Sequence, residues 1–452
     1  MRLNRIMALA LAGVMVTTTA TGFVGCSKKE KKGSDKLVIW TIAKDLQTFA
    51  DQYKKEKGVD VDVQVIEPGD YPKKLSSAMD SGSADVDIIV GEPQMLEGFY
   101  EAGYFADITD YAKDYEGKVV DYVWEAGKDK DGKIRAISYQ VTPAGFYYRR
   151  SVAKEVLGTD DPAEVGKYFS SYDKILETAE TMKKAGIKMF ASDAETSYFS
   201  GSEPWVVDNK LNVAQSRIDY ANMSIKLWKD DYTAYATQWS APWYMAMAGD
   251  IPNLTGADVD VWDNKNFEEA TKDLEKTRVF AFGLPAWGVL TMKDHVKESK
   301  GDWGVCAGPC YGFGGGTFIG VSELSDQQDK AWEFIKWATL TESTLEWWIK
   351  ESQGDTVALK SVLEKHAEDK NEIYGGQQLY KFWLEQAQGI DYSLVTPYDK
   401  EIGDAWGKAI GAIKTGEKSV KDAVAEFYTE VHSTYPDLEI EEKDLSSLIK
   451  AD

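Results

Sequence analysis

Residues 37–41, LVIWT, form a short apolar and β-branched run that predicts a buried strand. Residues 46–57 set Phe49 and Tyr53 four apart among polar neighbours, the spacing of a helix, and Gly58 stops it. Residues 59–66, VDVDVQVI, alternate strictly and predict a second strand. A helix over 71–79, ended by Ser81-Gly82, and a strand over 86–90 follow. This β-α-β-α-β order with short connections is the signature of an α/β layer with a parallel sheet.

Further along, residues 134–149 make a long extended stretch with Pro143 in its middle, where a proline breaks sheet pairing and suits a passage between two lobes. Helices are expected over 172–185, 212–230, 267–276, 327–338, 344–350, 404–413 and 420–431, with Asn266 and Glu269 as a capping box for the third. Residues 279–284 read as a strand running into Pro285-Ala286-Trp287. Asp129-Lys130-Asp131-Gly132 resembles the start of a calcium loop, but Gln140 stands where the closing Glu belongs, so a hairpin turn is expected. There is no internal repeat.

The chain has 452 residues, enough for two or three domains, and its 43% hydrophobic and 28% charged residues are the balance of a soluble globular protein. A net charge of -23 repels phosphate backbones and argues against nucleic acid as a partner. The histidines, His295, His366 and His432, lie far apart and there are only 3 cysteines, so neither a metal site nor a cofactor is expected. With 15 Trp, 24 Tyr and 16 Phe, the composition points to a binder rather than an enzyme.

Residues 1–25 read as an export signal: Arg2 and Arg5 precede an apolar stretch over 6–16 that is too short to span a bilayer. The end of this segment, Phe23-Val24-Gly25-Cys26, resembles the bacterial lipoprotein box, with Phe23 in place of the usual Leu. That resemblance implies lipidation of Cys26 and cleavage before it; a plain secretory signal is the alternative. Residues 26–36, with SKKEKKGSDK after the cysteine, would form a flexible tether. In CAGPC, Cys306 and Cys310 can bridge only if Gly308-Pro309 turns the chain back, which leaves two structural thiols or an optional disulfide; the spacing excludes a redox CxxC.

Several blocks in order, LVIWT, KKLSSAMDSGSADVDIIV, DGKIRAISYQVTPAGFYYRRSVAKEVLG, LPAWG, GDWGVCAGPCYGFGGGTFIGVSE, DKAWEFIKWAT, TESTLEWWIKESQGDTVALKSVLE and KAIGAIKTGEKSVKDAV, resemble the extracellular solute-binding proteins of bacterial ABC sugar importers, the maltose-binding-protein-like group. The resemblance covers essentially the whole mature chain. It implies an α/β, two-lobed periplasmic-binding-protein fold (type II-like) with a ligand cleft between lobes joined by hinge crossovers. Cleft closure would deliver the solute to the permease subunits of the importer, with no chemistry on the ligand. Residues 37–141 plus 288–340 are expected to form the N-lobe and 142–287 plus 341–440 the C-lobe, with crossings near 140–143, 287–290 and 340–344. A monomer held outside the cytoplasmic membrane through its lipid anchor is expected.

A sugar offers apolar C–H faces to aromatic planes and hydroxyls to polar side chains, and an unpaired buried hydroxyl costs about 1–3 kcal/mol. Trp40 and Asp45 lie at the end of the first strand, on the sheet edge where such folds bind ligands, and Glu92 follows the third strand at the same edge. Tyr139 and Gln140 lie on the first crossing. Trp287 resembles a cleft-lining aromatic of the family; Trp239 and Trp243, in QWSAPWYMAMAGD, and Trp205, in GSEPW, are candidate platforms at the rim. Phe313, Gly316 and Thr317 belong to a glycine-rich turn that lacks the GK[ST] of a phosphate loop. Tyr398 precedes the late helix near the place of a stacking aromatic in the family, while Gly403 falls where that aromatic is expected. Trp332, Trp337, Trp347 and Trp348 lie on helical faces and are assigned to packing.

The count of platforms favours an oligosaccharide as the carbohydrate ligand. The same fold with a polyamine, a metal chelate or a phosphorylated compound as cargo is the first rival. An anchored glycoside hydrolase is the second; it needs two placed carboxylates, which 75 acidic residues cannot exclude.

Overall fold

The computed structural model describes residues 36–82, 85–201 and 203–450. The export signal, Cys26 and all but the last residue of the expected tether lie outside the described residues. Among those described, no helix is long and apolar enough to cross a membrane.

The opening pattern folds as its periods demand. Strands β1 (Leu37–Thr41), β2 (Val61–Val65) and β3 (Ile88–Gly91) alternate with helices α1 (Leu46–Lys57) and α2 (Tyr71–Asp80), and α3 (Pro93–Glu101) follows β3. Parallel pairing of β1 with both β2 and β3 starts the first sheet. Helix α1 turns Leu46, Phe49, Ala50 and Tyr53 inward, and Gly58 closes it in the left-handed region at φ 72°.

The expected extended stretch is interrupted. Only Ile137–Ser138 (β4) and Ala144–Arg149 (β5) are strands, and residues 139–143 pass between the sheets. Residues 129–132 do form a turn, with the Asp129 N–H on the Lys133 carbonyl. Later strands are β6 (Ile187–Phe190), β7 (Lys276–Pro285), β8 (Trp303–Cys306) and β9 (Phe318–Val321). The first sheet runs β2-β1-β3-β9-β4 and the second β8-β5-β7-β6, with smaller pairings elsewhere. Both are mixed, since β9 runs antiparallel to β3 and β7 runs antiparallel to β5 but parallel to β6. The parallel sheet expected from the opening order holds for β1, β2 and β3, and the later strands, which enter after a crossing in the opposite sense, make each sheet mixed.

Each sheet has its own core. The first gathers Ile39, Ile88, Phe318, Phe334 and Trp348. The second sheet is buried on both faces, as its alternation requires, with Phe146 and Tyr148 packed on one side and Tyr147 on the other. Core membership places the passages between lobes: Val141 belongs to the first core and Ala144 to the second, Cys306 to the second and Phe318 to the first, Ile390 to the first and Ile402 to the second. The lobe boundaries read from the sequence therefore shift. Residues 288–306 stay with the second sheet, because β8 pairs with β5, and Leu345, Trp348 and Leu363 stay with the first core.

The helix after Asn266 spans Phe267–Thr271, shorter than expected because β7 begins at Lys276. Its capping box does not form, since the Asn266 amide donates to Asp263 Oδ2 at 2.8 Å. Trp332, Trp337 and Trp348 are buried and Trp347 packs against the same core.

Candidate functional site

The first crossing is held by a buried polar network. The Gln140 amide nitrogen donates to Asp355 Oδ2 at 3.2 Å, and its oxygen accepts from Thr317 Oγ1 at 3.3 Å. Trp348 Nε1 donates to the same Asp355 oxygen at 2.9 Å. Burial pushes the Asp355 carboxyl up to about 7, with the nearby charge of Asp45 adding to the rise. Asp45, at the start of α1, accepts from the Tyr139 hydroxyl, and burial raises it to about 6.

The glycine-rich turn is pinned to this crossing. The Gly314 N–H donates to the Thr142 carbonyl at 3.1 Å, Thr142 Oγ1 donates to the Gly315 carbonyl at 3.2 Å, and Trp287 Nε1 donates to the Gly314 carbonyl at 2.9 Å. Gly315 and Gly316 have φ of 68° and 124°, values that favour glycine. A Cβ on Gly315 would stand 3.3 Å from Trp287 Nε1 and 3.7 Å from Glu92 Oε1, so the turn brings Trp287 and Glu92 to one place. Glu92 accepts from Gln94, and burial raises its carboxyl. Trp239 stacks on Trp287 with ring centroids 5.9 Å apart at 26°.

Beside the turn lies a cavity of about 640 Å³ lined from both lobes, including Gln94 and Phe313 from the first and Tyr198, Trp205 and Arg217 from the second. Carboxylates Glu203, Asp391 and Asp399 also line it. Burial raises the Asp399 carboxyl, while the Thr396 hydroxyl donating at 2.6 Å works against that rise. The Arg217 guanidinium lies 4.4 Å from the Trp205 ring centroid and donates to the Ser200 and Glu203 carbonyls at 3.3 and 2.9 Å. The set offers flat rings and directional hydrogen-bonding groups within one space, a surface suited to binding a polyhydroxylated solute. Among the described residues no cluster of His, Cys, Asp and Glu could hold a metal ion.

The expected site residues divide. Phe313 and Trp205 line the cavity, though Trp205 is only 2% exposed and packs on Trp406 and Phe427. Glu92, Trp239, Trp287 and Gly316 gather at the turn, while Gln140 and Thr317 are buried beneath it. Tyr139 is wholly buried, with its ring on Phe49 and Trp348. Trp243 is also wholly buried, because the helix Ala241–Ala248 turns it into the second lobe. Trp40 is 9% exposed, with the Lys74 ammonium 5.0 Å from its ring, and Tyr398 is half-buried against Tyr435. Neither Trp40 nor Tyr398 lines the cavity. Cys306 and Cys310 are free thiols, Cys306 buried and Cys310 on the cavity wall.

Tyr198, Arg217, Glu203, Asp391 and Asp399 escaped the sequence reading. Tyr198 lies on the 3-10 segment Asp193–Phe199 and faces the turn so closely that a Cβ on Gly314 would be 2.3 Å from its Cε1. The signal within reach was the polar, aromatic run after β6, of which only Trp205 was singled out.

A family model described as bacterial extracellular solute-binding protein matches residues 48–374. A maltotriose-binding protein from Pyrococcus abyssi is 22% identical over 399 residues, covering 86% of this chain and 79% of that one. Among solved structures, an extracellular solute-binding protein of family 1 superposes with a TM-score of 0.69 at 18% identity, covering 88% of this chain and 99% of the other. The ABC transporter-associated binding protein of B. animalis subsp. lactis, in complex with β-1,6-galactobiose, gives 0.66 at 19% identity, covering 91% and 100%.

Proposed function

The chain belongs to the bacterial extracellular solute-binding proteins, and we propose that within that family it is the carbohydrate receptor of an ABC importer, with an oligosaccharide as ligand. The observation that carries this reading is the cavity between the lobes, where Tyr198, Trp205 and Phe313 stand beside Glu203, Asp391 and Asp399. Rings match the C–H faces of a sugar and carboxylates accept from its hydroxyls. One relative is named for maltotriose and one similar solved structure holds β-1,6-galactobiose, which supports a glycan over other solutes. The lobes would close over the ligand by bending at the three passages, and the importer's permease would receive the closed form. Lipidation at Cys26, an extracytoplasmic location and a monomeric state complete the proposal.

Thermal unfolding of residues 27–452 against a panel of oligosaccharides, monosaccharides and polyamines tests it. A solute at a hundred times its Kd should stabilise the fold by about 2.7 kcal/mol. A shift with one glycan family, which is recovered unhydrolysed, supports a sugar receptor. A shift with polyamines alone overturns the cargo, and hydrolysis of the glycan overturns the receptor. For the active glycan, Trp287→Ala is expected to weaken binding about tenfold, by the loss of about 1.4 kcal/mol, with the fold intact; titration calorimetry reads it.

A further inference from the structure

We propose that Glu195 is a positioning residue for the aromatic pair beside the ligand cavity, holding Trp239 against Trp287, which bonds the cavity-lining Gly314, through the indole of Trp243. The inference rests on the receptor reading above. Glu195 has no exposed surface. Its Oε1 accepts from Trp243 Nε1 at 2.5 Å and its Oε2 accepts from the Gly283 N–H at 2.9 Å. One carboxyl thereby ties the segment Asp193–Phe199 to both strand β7 and the helix Ala241–Ala248.

From Trp243 the contact passes outward. Its ring lies 4.7 Å from that of Trp239, and Trp239 stacks on Trp287, whose N–H grips the Gly314 carbonyl. Trp239 is 40% exposed and has φ of 71°, a left-handed backbone that a tryptophan adopts only where its surroundings impose it. Asp231 and Tyr235 in the same segment also have positive φ, at 60° and 56°. A strained segment presenting an exposed indole needs a rigid backing, and the Glu195–Trp243 hydrogen bond supplies one. Burial raises the Glu195 carboxyl to about 8, against hydrogen bonds from Trp243, Gly283 and Ser192 that lower it and with the charge of Asp193 adding to the rise. At neutral pH it is therefore a neutral acid that accepts from both N–H groups without a counter-ion.

The test is a double-mutant cycle. Glu195→Gln keeps the shape but exchanges one accepting oxygen for an amide nitrogen, and Trp243→Phe keeps a ring and removes the donor. Calorimetry with the glycan found to stabilise the parent chain reads Kd, at a temperature well below each variant's Tm. Each single substitution is expected to weaken binding about tenfold in the parent and less than about twofold in a Trp239→Leu background, because the effect travels through Trp239. An unchanged Kd, or the same tenfold loss with Trp239 replaced, makes Glu195 a structural plug and overturns the proposal. Near-UV circular dichroism of the free protein gives a second readout that needs no ligand. The indole bands altered by Trp239→Leu should be altered in the same sense by Glu195→Gln and by Trp243→Phe, and unaltered bands overturn the proposal. If no solute stabilises the parent chain, the receptor reading fails by that result, while the spectra still decide the role of Glu195. Should Glu195→Gln fail to fold, Trp243→Phe carries both measurements.

Discussion

Gly283→Ala is expected to destabilise the chain by about 3 kcal/mol or more and to abolish solute binding with it. Strand β7 is the spine of the second sheet, paired with β5 on one side and β6 on the other. The segment carrying Glu195 lies directly on it, so a Cβ at Gly283 would stand 1.7 Å from the Glu195 backbone oxygen and 3.3 Å from Phe146 Cε1. Neither neighbour can yield. The oxygen belongs to the backbone of a segment fixed at both ends, and Phe146 is stacked on Phe169 and Phe199 at 4.5 and 4.7 Å. Relief would have to come from lifting residues 193–199, which would carry Tyr198 off the cavity wall and break the Glu195 bond to the Gly283 N–H. Gly407 is the control. It lies exposed within the helix Asp399–Thr415, and an added Cβ meets nothing within 4 Å. Gly407→Ala should therefore stabilise by up to about 1 kcal/mol through helix propensity. Urea unfolding of the two variants side by side decides the matter. A Gly283→Ala chain as stable as the parent would mean that the close approach of strand and segment is not as described.

That contact also shows what sequence can and cannot reveal. The opening of the first lobe was legible because its elements follow from a local period: LVIWT, the alternation of 59–66 and the Phe49–Tyr53 spacing each specify an element with no knowledge of distant residues. The family resemblance, carried by ordered blocks, brought the two-lobed fold with it. The lobe boundaries did not follow, because membership is set by pairing across the chain. Trp303–Cys306 carries no local mark to say that its partner is β5, some 150 residues earlier. The aromatics divide on the same ground. Trp287 was singled out from its place after a strand and a proline and stands at the glycine-rich turn, whereas Trp243 resembles its neighbour Trp239 in local sequence and has a partner carboxyl 48 residues away that buries it. Arg217, Asp391 and Asp399 were hidden for another reason. In a chain with 127 charged residues, a cavity charge resembles a solvated one until the fold gathers it.

The buried carboxyls of Glu195, Asp355 and Asp45 make stability fall as pH rises from about 4.5 to about 8. Glu195, Asp355 and Asp45 keep their protons in the folded chain up to about 8, 7 and 6, well above the values at which an unfolded chain loses them. Across that window the folded state binds more protons than the unfolded state, so the slope of unfolding free energy against pH is negative, and it levels off above the highest folded value. For Glu195 alone the rise from 4.5 to about 8 corresponds to a loss on the order of 5 kcal/mol between the ends of its window. Asp45 and Asp355 add to the decline in the same direction, the charge of Asp45 adding to the rise of Asp355. Groups such as Asp107, held down to about 2 by Thr109 and Lys133 despite some desolvation, lose their stabilisation only below the window and do not mask it. The net charge of -23 also favours unfolding as the last carboxyls ionise, so the parent slope alone is not diagnostic. The difference between parent and variants is. Glu195→Gln should flatten the curve between about pH 5 and 8, and Asp355→Asn between about pH 4.5 and 7, each leaving the other's share in place. Urea midpoints measured at half-unit steps would show this, and variant curves parallel to the parent's would mean that these carboxyls are already ionised within the fold. A flattened Glu195→Gln curve would also say what kind of contact Trp243 makes at neutral pH: a hydrogen bond to a neutral acid.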